Sequence, residues 1–111
     1  MKTQFFVHRS ALIYTHPGRT TAEGTPLASV LAASSILNSP LRDGDLVTLN
    51  EDAKADCRPA TRRDFEAFRV NFEQYASRPD VYEFSEAQLA PLTPEDTKAG
   101  FLKILLSLKK S

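Results

Sequence analysis

Thr25–Asn38 reads TPLASVLAASSILN, and it decides the fold because it separates a β-rich N-terminal stretch from a short strand signal at Leu46–Leu49. Thr25 followed by Pro26 is a helix-start pattern, an N-cap with proline at the first helical position, and Pro40 bars continuation beyond Asn38. Leu27, Val30, Leu31 and Leu37 form one face at helical spacing, while Ala28, Ala32, Ala33 and Ile36 leave the other faces small or apolar. The segment carries no charge. The pattern predicts a largely buried helix whose small residues permit close approach of another backbone, from the sheet or from a second subunit.

Upstream, Gln4–Thr15 (QFFVHRSALIYT) is rich in β-formers with apolar residues on both alternating faces. It fits one strand covered on both sides, or two short strands turning near His8 to Ser10. His16–Pro26 (HPGRTTAEGTP) is dense in breakers and predicts a long loop, a kind of segment that often carries function. Downstream, Arg42-Asp43-Gly44-Asp45 reads as a turn, Leu46–Leu49 as a short strand and Glu51–Arg58 as a charged loop.

Pro59–Ser77 (PATRRDFEAFRVNFEQYAS) carries the strongest helix signal. Thr61 is its N-cap, Asp64 approximates a capping box, and Pro79 closes the far end. Phe65, Phe68, Phe72 and Tyr75/Ala76 fall on one core-docking face. Asp80–Phe84 reads as a third short strand, and Ser85 with Gln88 caps a brief helical turn ended by Pro91. Thr93-Pro94-Glu95-Asp96 starts a closing helix through Lys110, with acids at its N-terminus and lysines at its C-terminus, as the helix dipole favours. The order β-α-β-α-β-α predicts a single α+β domain over residues 1–111. Its architecture is a small mixed sheet of three or four strands packed against two or three helices, with a three-stranded parallel α/β unit as the alternative.

The 111 residues are 41% hydrophobic and 25% charged, a globular composition with length enough for one core. The lone Cys57 forms no internal disulfide and MKTQFFVHRS lacks a signal-peptide pattern, so a cytoplasmic location is expected. The uncharged run between Glu23 and Arg42 holds four serines and two prolines, which argues against a membrane span. Formal net charge is zero, but residues 1–42 carry +3, 43–56 carry −4, 57–69 carry +2, 70–97 carry −5 and 98–111 carry +4. That balance argues against a dedicated duplex-DNA binder, whose affinity comes largely from phosphate neutralisation.

Catalytic patterns fail one by one. Gly18 to Gly24 sits where a phosphate loop would, yet its glycine spacing is one residue too long and Thr25 stands where lysine is required. His8, His16 and Cys57 show no short metal-ligand spacing, and the acids Asp43, Asp45, Glu51, Asp52 and Asp56 do not follow the calcium-loop pattern. Asp56 opposes the activation that Arg58 would give Cys57 as a nucleophile. No catalytic residue, cofactor, metal or small-molecule substrate is expected.

Two surfaces remain. Arg58, Arg62, Arg63 and Arg69 interleave with Phe65, Phe68 and Phe72, the ingredients of single-stranded nucleic-acid binding, although Glu66 and Glu73 share the arginine stripe. The closing helix is the other, with Phe101, Leu102, Leu105, Leu106 and Lys109 on a broad apolar face edged by lysines. The reading is a small non-catalytic protein–protein interaction module, an accessory, regulatory or inhibitory subunit that docks on a protein partner or self-associates as a homodimer. Single-stranded nucleic-acid binding through helix 61–77 is the alternative, and no membrane partner is expected.

Overall fold

The computed structural model describes residues 2–91. The chain forms β1 (Phe5–His8), β2 (Ala11–Thr20), β3 (Pro26–Ala33) and β4 (Leu46–Thr48). Helix α1 (Glu51–Asp56), the two-residue β5 (Arg58–Pro59) and helices α2 (Arg62–Ala67), α3 (Phe72–Ala76) and α4 (Glu86–Leu89) follow. The strands build one five-stranded sheet ordered β4-β3-β2-β1-β5, and every neighbouring pair in it is antiparallel.

This replaces the expected β-α-β-α-β-α order, and with it both the three- or four-stranded mixed sheet and the parallel unit. The decisive difference is at Thr25–Asn38, where β3 stands in place of a helix. Ala28 and Val30 are buried on one face of the sheet and Leu31 packs on the other. A strand covered on both faces reads as an unbroken apolar run, which periodicity alone does not separate from a buried helix. Pro26 is the first residue of the strand, a position that sheets tolerate. Its carbonyl accepts from the Leu49 amide at 2.9 Å.

His16–Pro26 is likewise no long loop. Residues 16–20 extend β2, and only Thr21 to Thr25 turn, closed by the Thr21 amide donating to the Thr25 carbonyl at 2.8 Å. Of the two readings of Gln4–Thr15, the hairpin is the one adopted. His8 pairs with Ala11, and Arg9 and Ser10 both have positive φ, 49° and 58°, as a two-residue turn matched to strand twist requires. The Arg42–Asp45 turn is present, with Gly44 at φ 87° and the Asp45 amide bonded to the Arg42 carbonyl. The charged loop after it instead contains α1, capped by Asn50.

The long central helix divides into α2 and α3. Thr61 and Asp64 do form a capping box on α2. The helix then stops in a Schellman turn: Arg69 adopts φ 58°, its amide reaches the Glu66 carbonyl at 3.0 Å, and the Val70 amide reaches the Phe65 carbonyl at 2.8 Å. Asn71 caps α3 by accepting from the Glu73 amide. Asp80–Phe84 contributes only an isolated parallel bridge, Thr3 with Tyr82. The capping box of Ser85 and Gln88 is present on α4. The closing helix expected up to Lys110, with its proposed contact residues Phe101, Leu102, Leu105, Leu106 and Lys109, lies outside the described residues.

Each face of the sheet carries a core. On one, Ala11, Ile13, Ala28, Val30, Val47 and Leu49 are buried, with Phe6, Leu41 and Cys57 packed against them. On the other, Phe5, Leu12, Ala60, Phe65 and Phe72 are buried under α2, α3 and the segment through Tyr82 and Phe84. Among the described residues, no helix is long and apolar enough to cross a membrane.

Candidate functional site

The arginine-rich stretch folds into a structural clamp. Thr61 directs its hydroxyl at the start of α2, which places Asp64 against the Thr61 amide at 2.8 Å and brings Arg58 of β5 alongside. Arg58 Nη1 and Nη2 donate to the two Asp64 oxygens, each at 2.7 Å, the paired geometry that makes guanidinium–carboxylate contacts strong. Burial pushes the Asp64 carboxyl up, but Arg58 and the two Thr61 donors outweigh it and hold the group below its ordinary value. The same hydrogen bond raises the Arg58 guanidinium, more than burial lowers it.

Arg62 is committed too. Its guanidinium pairs with Glu73, donates to the Leu89 carbonyl at 3.2 Å and lies 4.5 Å from the Phe72 ring centroid. Arg69 ends α2 with its backbone. Phe65 and Phe72 are buried and Phe68 is half-buried, so Phe65 and Phe72 offer no open face for a base to stack on. Of the four arginines, Arg63 and Arg69 are exposed without an ion pair among the described residues, and of these two only Arg63 lines a groove.

Arg63 stands at the edge of a groove of about 570 Å³ between α2 and the turn after β3. Val7, Ala67 and Phe68 line its apolar part, and Arg58, Arg63 and Asp64 its polar side. Opposite stand Ile36 and Leu37, large apolar residues exposed at 49% and 52%. The turn that presents them is fixed to the β1–β2 hairpin. The Ser34 amide donates to the Ser10 carbonyl at 2.9 Å, and the Ser39 hydroxyl to the Arg9 carbonyl at 2.6 Å. Asn38 takes φ 53° and the Leu37 amide bonds the Ser34 hydroxyl at 3.1 Å, which completes the turn.

Ile36 and Leu37 stand here as the principal apolar surface residues of the groove, whereas the helix reading of Thr25–Asn38 assigned both to a buried element. The available signal was Ser34-Ser35 ahead of them and Asn38-Ser39-Pro40 behind, a turn composition at each end.

The other candidates are dispersed. His8 is buried, with Nδ1 2.8 Å from Asp56 Oδ2. The contact does not meet hydrogen-bond geometry, and the buried Nδ1 has no hydrogen-bond partner among the described residues. His16 instead contacts the Ser29 hydroxyl at 2.6 Å. Burial, and then the neighbouring Asp56 charge, push the Cys57 thiol up, which disfavours the thiolate a nucleophile needs. Among the described residues, no three His, Cys, Asp or Glu side chains are grouped to hold a metal ion. Comparison with protein-family models, with curated proteins and with solved structures gives no match.

Proposed function

We propose that this protein is a non-catalytic interaction module that docks a protein partner through the groove between α2 and the 34–39 turn. The observation that carries the reading is the pair Ile36 and Leu37, half-exposed on a hydrogen-bonded turn at a groove of about 570 Å³ with an apolar part formed by Val7, Ala67 and Phe68. Single exposed apolar residues are ordinary, but an adjacent pair presented by a hydrogen-bonded turn at the apolar part of a groove is the form of a docking anchor. Arg63 supplies a charge at the rim, where it orients a partner more than it adds affinity.

The test is affinity capture of the intact protein from its native lysate, with and without nuclease, alongside the Ile36→Glu/Leu37→Glu variant. A stoichiometric protein that survives nuclease and is lost from the variant supports docking at this groove. Equal recovery by both forms rejects the groove. Recovery that vanishes with nuclease rejects the protein-docking reading in favour of nucleic acid. Sedimentation of the two purified forms separates a foreign partner from a second copy of this chain. Because both residues are exposed, the substitutions leave the fold within about 0.5 kcal/mol of wild type.

A further inference from the structure

The far half of β2, read from sequence as a long loop, borders a second cavity on the opposite, aliphatic face of the sheet. It measures about 470 Å³, within the size range of small-molecule sites. Phe6, Leu27, Leu49 and Cys57 contribute apolar surface to it. Cys57 suits that surface, because burial and then Asp56 keep it a neutral thiol.

The charged residues that line this cavity are all cations. Lys2 comes from ahead of β1, Arg19 from β2 and Lys54 from α1. Three separate segments thus each contribute a cationic residue to the lining of one cavity, and none of the three is ion-paired among the described residues. Two acids close in sequence or space are engaged elsewhere: Asp56 faces His8 and the Arg9 amide, and Glu83 accepts from Gln4 Nε2 at 3.0 Å. The other face treats its cations differently, since Arg58 and Arg62 are spent on Asp64 and Glu73.

An apolar chamber with a one-signed cationic rim has a defined complement. We infer that this cavity binds a small amphipathic anion, an apolar body carrying a single carboxylate. The apolar body displaces water from the chamber, and the carboxylate stays at the mouth beside Arg19, Lys54 and Lys2. The lysine-rich residues 98–111 are a poorer complement, because they would set like charge against the rim. The inference concerns a different face from the docking groove and is independent of it.

Cys57 is the only cysteine of the chain, so its labelling by a thiol reagent reports on this cavity alone. The experiment uses the full-length protein with decanoate below its micellar concentration, and decylamine as the cationic counterpart. With decanoate about tenfold above its Kd, the open sites fall to roughly a tenth and labelling slows about tenfold. The Arg19→Glu/Lys54→Glu variant, altered at exposed positions only, loses that protection and raises the Kd by about tenfold or more. Circular dichroism verifies that it is folded, and single Arg19→Gln and Lys54→Gln forms, with smaller losses of the same sign, supply the second reading.

Labelling indifferent to decanoate overturns the inference. Equal protection by decylamine, or undiminished protection in the charge-reversed variant, overturns it as well, because either removes the anion from the argument. So does a thiol closed to reagent before ligand is added, since the cavity is then already filled by residues 92–111 or by a second copy.

Discussion

On one face of the sheet the buried residues are all aliphatic, Ala11, Ile13, Ala28, Val30, Val47 and Leu49, and they come from β2, β3, β4 and the residue that follows β4. On the other, Phe5, Leu12, Ala60, Phe65 and Phe72 are buried and Tyr14, Tyr75, Tyr82 and Phe84 pack around them. The aliphatic core is made by neighbours in the ladder and depends on pairing. The aromatic core is made by distant segments meeting at one ring. Phe5 stands 5.1 Å from both Phe65 and Tyr75, 5.5 Å from Tyr82 and stacks on Phe84 at 5.3 Å. The second face should therefore fail through a single residue, and the first should degrade gradually.

The largest loss of stability is expected from Phe5→Ala. It opens the centre of the aromatic cluster and is expected to cost about 3 to 5 kcal/mol, measured by urea unfolding. Ile13→Ala, its counterpart on the aliphatic face, should cost about 2 to 4 kcal/mol. If Ile13→Ala proves the more damaging, the aromatic ring is not the keystone.

Asp64 sharpens the contrast, because the aromatic face rests on a helix whose start that carboxylate holds. Its folded pKa is depressed, so its stabilisation is complete above the ordinary value of 3.8 and is lost as pH falls below it toward the folded value. Asp64→Asn should cost about 1 to 2 kcal/mol at pH 7 and flatten the acid limb of the stability profile. An unchanged acid limb would remove the clamp from the account.

A smaller effect is expected at Asn71, where the Ala variant loses the α3 cap and about 1 kcal/mol. The smallest is Arg69→Gly. Relief of the left-handed strain at φ 58° offsets the added freedom of the unfolded chain, so the shift should stay within about 1 kcal/mol and tend toward stabilisation. A clear loss there would mean that Arg69 acts through its side chain and not its backbone.

Local signals in the chain are legible. Thr61 with Asp64, Ser85 with Gln88 and the Arg42–Asp45 turn each rest on interactions within four residues, and each is where its pattern indicates. Asn71 belongs to the same class: an asparagine ahead of Phe72-Glu73-Gln74-Tyr75 is a helix start, but Phe65, Phe68 and Phe72 continue one helical face across it and mask the break. The candidate site was less legible. Arg58 and Arg62 carry the composition of a binding surface, but their partners Asp64 and Glu73 lie six and eleven residues away and are met only in the fold.

The caps, the turns and the presence of apolar runs are therefore written in the chain, because each is set by interactions a few residues long. Whether Pro26–Ala33 became helix or strand was left to the tertiary structure. An uncharged run of small and branched residues satisfies either period, and the choice falls to whatever can satisfy its backbone and cover both its faces. Here β2 and β4 supply the hydrogen bonds on its two edges. The same step that made this segment a strand moved Ile36 and Leu37 off a buried helix and onto a surface turn.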